Sequence, residues 1–225
     1  MNLYFLVEGR RTEKRVYTSW FENYVGMSKI SSPDEVQENN FFIISANGYP
    51  GILNNHLKNA VNDIELHTNF DYLVIVLDSE EVSESERRNE VVSALDGLRN
   101  KLKNTQPYII IQHHCIETWF LGNNNLKIEN PISEELKDYL TFYNVFENDP
   151  EYMPVHSNFS VHAHFHEAYL KKIFQENKLV YSKRNPGYAK EADFLQQLEK
   201  RHKNCNHLLS MNALFELIKN VMSSQ

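Results

Sequence analysis

The feature that most constrains the fold is a run of six apolar residues, Tyr72–Leu77, which ends abruptly at Asp78. A continuous apolar run of this length is typical of a strand buried on both faces, as in parallel sheets covered by helices. Shorter runs of β-type composition occur at Leu3–Val7, Phe41–Ser45 and Pro107–Ile111. The sequence therefore predicts four strands in one mostly parallel sheet.

The segments between these runs carry apolar residues at helical spacing. Arg11–Tyr24 has one such stripe, Ile52–Ile64 a second and Val91–Leu102 a third. Strands that alternate with helices form right-handed βαβ units. We therefore expect an α/β fold, with a mostly parallel four-stranded sheet flanked by helices.

The alternation of strands and helices stops after residue 121. We interpret residues 122–160 as an insertion or lid of irregular and helical structure, because turn-forming residues punctuate it. These are Asn123–Asn125, Pro131, Asn148–Pro150 and Pro154. Helical patterns return from residue 161, with a loop at Tyr181–Tyr188 and a closing helix at Leu208–Val221. The predicted parts are a core at 1–121, the insertion, and a helical region at 161–225 that completes the same domain.

Charge is distributed unevenly along the chain, whose net charge is −7. Residues 1–160 contain 13 Lys and Arg against 24 Asp and Glu, whereas residues 161–225 contain 10 against 6. The net charge of −7 excludes a generic basic protein that coats nucleic acid. The uneven distribution is compatible with metal binding by the acidic body and polyanion binding by the basic C-terminal third.

Two further features concern the cellular compartment. Cys115 and Cys205 show no paired spacing, which predicts neither a disulfide framework nor a zinc knuckle. The apolar run at Leu3–Val7 is too short for a signal peptide, and no stretch approaches the ~20 apolar residues of a membrane-spanning helix. We therefore expect a soluble, cytoplasmic protein.

Acidic side chains follow three of the four predicted strands. Glu8 follows the first, Asp78 and Glu80 the third, and Glu117 comes shortly after the fourth. Ligands of open α/β sheets bind at the carboxyl ends of the strands. Because carboxylates held close together repel one another, such a group usually binds a hard cation through oxygen. The sequence predicts a site for one or two Mg²⁺ or Mn²⁺ ions.

Other interpretations stay open at these positions. Glu8 alone also fits a solvated turn, and Asp78 fits a helix N-cap. We interpret Glu81, Glu84 and Glu86 as the solvated start of a helix and leave them out of the site.

Ten histidines raise the question of a zinc site. His162, His164 and His166 alternate, with His156 nearby, but no Cys ligands accompany them, and the interleaved Ala163 and Phe165 favour ordinary packing. The pair His113–His114 lies closer to the predicted carboxylate rim, where either ring could donate a proton or contact phosphate. Neither group is included in the predicted site.

Four segments together resemble a known domain. Val7–Glu13 resembles the V-E-G-x-x-T-E signature of the TOPRIM domain, and Asp78–Glu80 occupies the place of its D-x-D motif, with Glu for the second Asp. Cys115–Leu121 is similar to the F-E-x-W-L-L segment of RloB-like and OLD-related TOPRIM proteins of bacterial defence systems. Tyr181–Lys183 resembles their later lysine-bearing motif.

The resemblance implies metal-dependent phosphodiester chemistry. The chain lacks the catalytic tyrosine of a topoisomerase and the zinc-binding and polymerase parts of a primase, which leaves the nuclease branch. By this resemblance, Glu8 is a metal ligand or general base, and Asp78 and Glu80 are metal ligands. Glu117 is a further ligand or orients one, and Lys183 contacts a phosphate.

The resemblance also implies a partner, a separately encoded SMC- or ABC-like ATPase, since the chain has no P-loop of its own. A second hypothesis is a catalytically inactive TOPRIM-shaped module that senses a nucleotide or docks that ATPase. The sequence leaves open whether the substrate is DNA or RNA, and whether the chain forms a homo-oligomer.

Overall fold

A single parallel sheet forms the centre of the computed structural model, which describes residues 1–128, 130–131 and 133–225. Its five strands lie in the order β2-β3-β1-β4-β5, and every neighbouring pair is parallel. The strands are β1 Leu3–Val7, β2 Ser28–Lys29, β3 Asn40–Ser45, β4 Tyr72–Asp78 and β5 Gln106–Gln112. The predicted α/β class with a mostly parallel sheet is confirmed.

The predicted number of strands was wrong by one. The additional strand, β2, is two exposed residues long and pairs with Asn40 and Phe41 of β3 at the edge of the sheet. A strand this short and polar has no apolar run from which it could be predicted.

Helices cover both faces of the sheet. They are α1 Thr12–Trp20, α2 Leu57–Leu66, α3 Glu84–Asp96, α4 Arg99–Leu102, α5 Ile116–Leu121, α6 Glu134–Phe142, α7 His162–Glu176, α8 Ala192–Cys205 and α9 Asn212–Ser223. Turns of π-helix extend α1 at Phe21–Val25 and precede α2 at Ile52–His56. Within the described ranges, no helix has both the length and the apolar character needed to cross a bilayer.

Strand β4 is apolar from Leu73 to Leu77 because helices cover both of its faces. Val74 and Val76 face a core that contains α1 and α5–α9, whereas Ile75 and Leu77 face a second core with α2–α4. Successive side chains of a strand point to opposite faces, so a strand covered on both sides needs apolar residues at every position.

The region predicted as an insertion packs into the first of these cores. Its described residues include α6 and two short 3₁₀ turns, and several of its side chains are buried there. They are Leu126, Leu136, Tyr139, Val145 and Met153. Two residues of the predicted insertion, Glu129 and Ile132, lie outside the described residues.

The order of the strands positions the candidate site. Strand β1 lies between β3 and β4, so the chain leaves β1 toward one side of the sheet and later crosses to the other side. In open α/β sheets, ligands bind in the crevice at the carboxyl ends of the strands where this reversal occurs. Here that crevice lies beyond Val7 and Asp78.

Candidate functional site

A cleft of about 570 Å³ opens at the carboxyl ends of β1 and β4. All five residues predicted for the site line it, although they come from four separate segments of the chain. They are Glu8, Asp78, Glu80, Glu117 and Lys183. The parallel sheet therefore brings these side chains to one cleft, while their chemical roles stay predictions.

Glu8 and Asp78 lie at the centre of the cleft. The Glu8 carboxylate accepts hydrogen bonds from the backbone N–H of Tyr49 at 3.2 Å and of Asp78 at 3.1 Å. Asp78 Oδ1 is buried and has no hydrogen-bond partner within the described part of the chain. Burial raises the pKa of Asp78 well above its usual value, and the charges of Glu13, Glu8 and Glu117 raise it further.

Glu117 and Lys183 both line the cleft. Glu117 lies in the first turn of α5, is 2% exposed, and accepts a hydrogen bond of 2.6 Å from the Tyr181 hydroxyl. The Lys183 ammonium lies 3.5 Å from Glu167 Oε2. Burial lowers the pKa of Lys183, but Glu117 and Glu167 outweigh it and raise the pKa to about 12. Lys183 therefore remains a cation in the cleft.

Hydrogen bonds from the start of α1 hold the loop that carries Lys183. Thr12 Oγ1 donates to the carbonyl oxygen of Lys183 at 3.1 Å, and the Arg15 guanidinium donates to the carbonyl of Arg184. Within the loop, Ser182 and Asn185 exchange two backbone hydrogen bonds of 2.9 Å. These contacts place a lysine from the C-terminal third beside the end of β1.

Glu13 is a site residue that the sequence reasoning missed. Its carboxylate packs against Gly9 so closely that a Cβ on residue 9 would lie 1.7 Å from Glu13 Oε2. Burial raises the pKa of Glu13 to about 7, and the charges of Glu117 and Glu8 contribute. The available signal was its place at the end of the Val7–Glu13 motif. We refer to Glu8, Glu13, Asp78 and Glu117 as the carboxylate cluster.

Glu80 lies at the rim of the cleft. Its backbone has a φ of 54°, and its 53% exposed side chain pairs with Nη2 of Arg87 at 3.6 Å. The Arg87 guanidinium in turn lies 3.7 Å above the centre of the Tyr49 ring. Burial raises the pKa of Glu8 and the charge of Glu80 adds to that effect, so Glu80 acts on the cluster at longer range.

Two imidazoles lie behind Glu81, which itself lines the cleft. The ligand atoms of Glu81, His114 and His162 all lie within 4.8 Å of one another, and we refer to these residues as the imidazole cluster. Glu84 and Glu86 lie in the first turn of α3, as the interpretation of a helix start expects, and Glu86 forms a capping box with Ser83. Glu81 precedes that helix, and its 46% exposed carboxylate accepts the backbone N–H of His162 and contacts its ring.

Backbone contacts hold His114 in place. Its N–H donates to Ser79 Oγ at 2.8 Å, and its carbonyl accepts the N–H of Glu80 at 2.9 Å. Its ring Nδ1 lies 2.7 Å from the carbonyl oxygen of Glu80. Burial lowers the pKa of His114 to about 4, so its ring is neutral at neutral pH.

A basic groove of about 620 Å³ adjoins the cleft, and Arg10 and Arg11 line both. Its cations are Arg10, Arg11, Lys14, Arg15, Lys29 and Lys190, with Glu22 as the acidic residue among the described groups that line it. Of these cations, one belongs to the basic C-terminal third. The positive surface beside the cleft therefore comes mainly from α1 and its approach.

The donor chemistry of the carboxylate cluster suits a hard divalent cation, although its carboxylates do not approach one another as closely as the ligand atoms of Glu81, His114 and His162 do. The cluster offers oxygen ligands alone, and one of them, Asp78 Oδ1, is buried without a hydrogen bond in the described part of the chain. Mg²⁺ and Mn²⁺ take such carboxylate oxygens. A bound dication would also offset the repulsion that raises the pKa of Asp78.

Comparisons with protein-family models, with curated proteins and with solved structures find no match to this chain. The resemblance to TOPRIM proteins therefore rests on the four sequence segments alone.

Proposed function

We propose that this chain is a divalent-metal-dependent nuclease that cleaves phosphodiester bonds in DNA or RNA. The carboxylate cluster carries the proposal, because buried like charges with an orphaned oxygen are costly unless a cation is bound. One or two Mg²⁺ or Mn²⁺ ions, when bound, would polarise the phosphate and lower the pKa of a bound water.

The residues of the cleft supply the remaining functions. Glu8, Asp78 and Glu117 would hold the cation, with Glu80 able to approach from the rim. Glu8 is held in place for this by the backbone N–H groups of Tyr49 and Asp78. Lys183, a cation that is 54% exposed, can bind a phosphate oxygen and stabilise charge that develops there.

The basic groove supports a polyanionic substrate. Six cations lie beside a cleft whose own centre is acidic, and Arg10 and Arg11 connect the two. Lys and Arg that neutralise backbone phosphates supply most sequence-independent nucleic-acid affinity. A strand bound in the groove would therefore lead a phosphodiester toward the carboxylate cluster.

The resemblance to defence-system proteins supports a wider proposal. In it, the chain is the effector subunit of an anti-phage system in the cytoplasm and works with a separately encoded SMC- or ABC-like ATPase. Co-purification with the product of a neighbouring ATPase gene tests this partner.

A second candidate is a TOPRIM-shaped module without turnover, which senses a nucleotide or docks a partner ATPase. One observation favours it. Glu80, at the second acidic position of the Asp78–Glu80 motif, pairs with Arg87 at the rim.

Cleavage assays distinguish the two candidates. Plasmid DNA, single-stranded DNA and tRNA are incubated with the protein in Mg²⁺ or Mn²⁺, with and without EDTA. A nuclease cleaves at least one substrate, EDTA stops it, and Glu8→Gln or Asp78→Asn lowers the rate ~10²-fold or more through lost transition-state stabilisation. Asp96→Asn, which removes a charge on the 68% exposed Asp96, is the matched control and retains full activity. Near wild-type cleavage by Glu8→Gln and Asp78→Asn, or no cleavage of any substrate, would contradict the proposal.

A further inference from the structure

We propose that the imidazole cluster is a second metal site, which binds a borderline transition-metal dication, with Zn²⁺ the best match. The ligand atoms of Glu81, His114 and His162 lie within 4.8 Å of one another. In a tetrahedral site with bonds of 2.0–2.1 Å, neighbouring ligands are about 3.3 Å apart. Side-chain movements on the order of 1 Å would therefore close the three groups around one ion.

The ring of His114 is oriented as a ligand. Its Nδ1 faces the carbonyl oxygen of Glu80 at 2.7 Å. Because a carbonyl oxygen only accepts, Nδ1 carries the proton and Nε2 carries the lone pair. Histidines that bind metals are usually held in this way, by a hydrogen bond from the other ring nitrogen to a carbonyl or carboxylate.

Glu81 and His162 are already held together. Oε1 of Glu81 accepts the backbone N–H of His162 at 2.8 Å, and Oε2 lies 2.7 Å from the His162 ring Nδ1. The rings of His114 and His162 stack at 3.7 Å with an angle of 8° between their planes. The three side chains are therefore in contact before an ion binds, and the stacked rings must turn for one nitrogen of each to face the same ion.

Capping of α7 is the alternative explanation of this contact. A carboxylate at the start of a helix is stabilising by itself, and it accounts for Glu81 and the amide of His162. It requires neither the ring of His162 nor any part of His114. A metal site requires all three groups together.

The two clusters would select different ions. Imidazole nitrogen suits Zn²⁺ and similar metals, whereas carboxylate oxygen suits Mg²⁺ and Mn²⁺. Three protein ligands leave a coordination position for water or a substrate oxygen. Since Glu81 also lines the cleft, that position would be close to any substrate bound there.

Calorimetric titration of the EDTA-stripped, dialysed protein with Zn²⁺ tests the site, with excess Mg²⁺ present to occupy the carboxylate cluster. We expect one Zn²⁺ per chain. His114→Asn and His162→Asn should each weaken binding at least ~10-fold, since loss of even an orienting partner costs 10–100-fold in affinity. Asparagine is used because it tolerates the positive φ of 54° at residue 114. The visible absorption of bound Co²⁺ reports the same site independently.

Two control variants separate this site from its surroundings. His164→Asn changes an exposed histidine of α7 that lines the cleft outside the imidazole cluster, and it should bind Zn²⁺ normally. Asp78→Asn should also bind Zn²⁺ normally, whatever it does to cleavage. The inference would be overturned if the wild type does not bind Zn²⁺, or if His114→Asn or His162→Asn folds and binds Zn²⁺ with unchanged affinity. Loss of Zn²⁺ binding in Asp78→Asn would overturn it as well. If His114→Asn fails to fold, His162→Asn and Glu81→Gln decide the outcome.

Discussion

Two groups of buried acidic residues in this protein differ in how their charge is compensated. Asp149 and Glu151 are each 6% exposed, comparable to Glu8 at 8%. Asp149 accepts the backbone N–H of Leu208 at 3.2 Å, and Glu151 accepts that of Ser210 at 3.1 Å and the Ser210 hydroxyl. In the carboxylate cluster, by contrast, Asp78 Oδ1 is orphaned among the described groups.

The pKa shifts show the same contrast. Burial raises the pKa of Glu151 to about 7 and the charge of Asp149 adds to it, whereas the hydrogen bonds from Ser210 and the charge of His113 oppose it. Burial also raises the pKa of Asp78, but there the next causes are the charges of Glu13 and Glu8, which add to it. Burial therefore does not by itself mark a functional site. The distinguishing feature is repulsion that the protein's own groups leave uncompensated.

The largest expected effect concerns Arg201, which interacts electrostatically with Asp149 in the region where the buried acids are compensated by hydrogen bonds. Arg201 is 1% exposed and donates to the carbonyl oxygens of Val145 at 2.7 Å and Asn148 at 2.6 Å. Arg201→Met leaves buried acceptors unpaired, so we expect the free energy of unfolding to fall by about 3–5 kcal/mol. Denaturant unfolding measures this, with Arg99→Met at an exposed pair as the control. A loss below about 1 kcal/mol would show that this region is not held by its hydrogen bonds.

A second prediction concerns pH. Glu13 and Glu151 each have a folded pKa of about 7 against an ordinary value of 4.5, so the folded chain binds more protons between these values. Stability should therefore fall as pH rises from about 4.5 to about 7, by at most about 3.4 kcal/mol for each residue.

Adding Mg²⁺ separates the contribution of Glu13 to the pH dependence of stability from that of Glu151. In EDTA, both Glu13→Gln and Glu151→Gln should flatten the decline of stability with pH. In saturating Mg²⁺, bound cation favours the ionised form of Glu13, so only Glu151→Gln should still differ from the wild type. Thermal melts at a series of pH values provide the measurement. Equal behaviour of the two variants in both conditions would abolish the distinction between the regions.

The third prediction uses metal-dependent stability. Mg²⁺ at ten times its dissociation constant should stabilise the wild type by about 1.4 kcal/mol. Asp78→Asn should be as stable as the wild type or more stable in EDTA, because a repelling charge is gone, and should gain less from metal. Asp149→Asn should lose stability equally in both conditions. Identical metal-induced shifts in the melting temperature of wild type and Asp78→Asn would eliminate the proposed metal site.

The smallest effect is expected for Lys183. Lys183→Ala should weaken nucleic-acid binding in the metal-free protein and reduce the slope of log affinity against log salt by about 1. Binding at 50 mM and 200 mM salt, by fluorescence anisotropy, provides the comparison. Lys178→Ala is the control for lost charge. Equal slopes for the wild type and Lys183→Ala would indicate a solvated loop lysine.

Much of this architecture follows from the sequence because its signals are local. Apolar runs identify β1, β3, β4 and β5 to within about a residue, since strands covered on both faces need apolar side chains throughout. The convergence of Glu8 and Asp78 follows in turn, because parallel strands end at one edge.

The features that the sequence did not predict depend on tertiary contacts. Glu13 lies on α1 among arginines and lysines, a pattern that indicates a solvated helix face, and its burial arises only when α1 packs beside α5 and the Lys183 loop. The imidazole cluster likewise draws Glu81, His114 and His162 from three distant segments. Helical or strand periodicity relates only residues that are close in sequence, so it cannot indicate that these three residues meet.

The contact between Gly9 and Glu13 couples these two positions, because a side chain at residue 9 would force the Glu13 carboxylate to move. Any side chain at residue 9 would occupy the volume that the Glu13 carboxylate now fills. Among related chains, we therefore expect glycine at position 9 to accompany glutamate at position 13. A chain with alanine at 9 should carry a shorter residue at 13, and it would have exchanged a buried charge for a methyl group. That pair of substitutions, readable from sequence alone, would identify related chains in which the cleft has lost the Glu13 carboxylate.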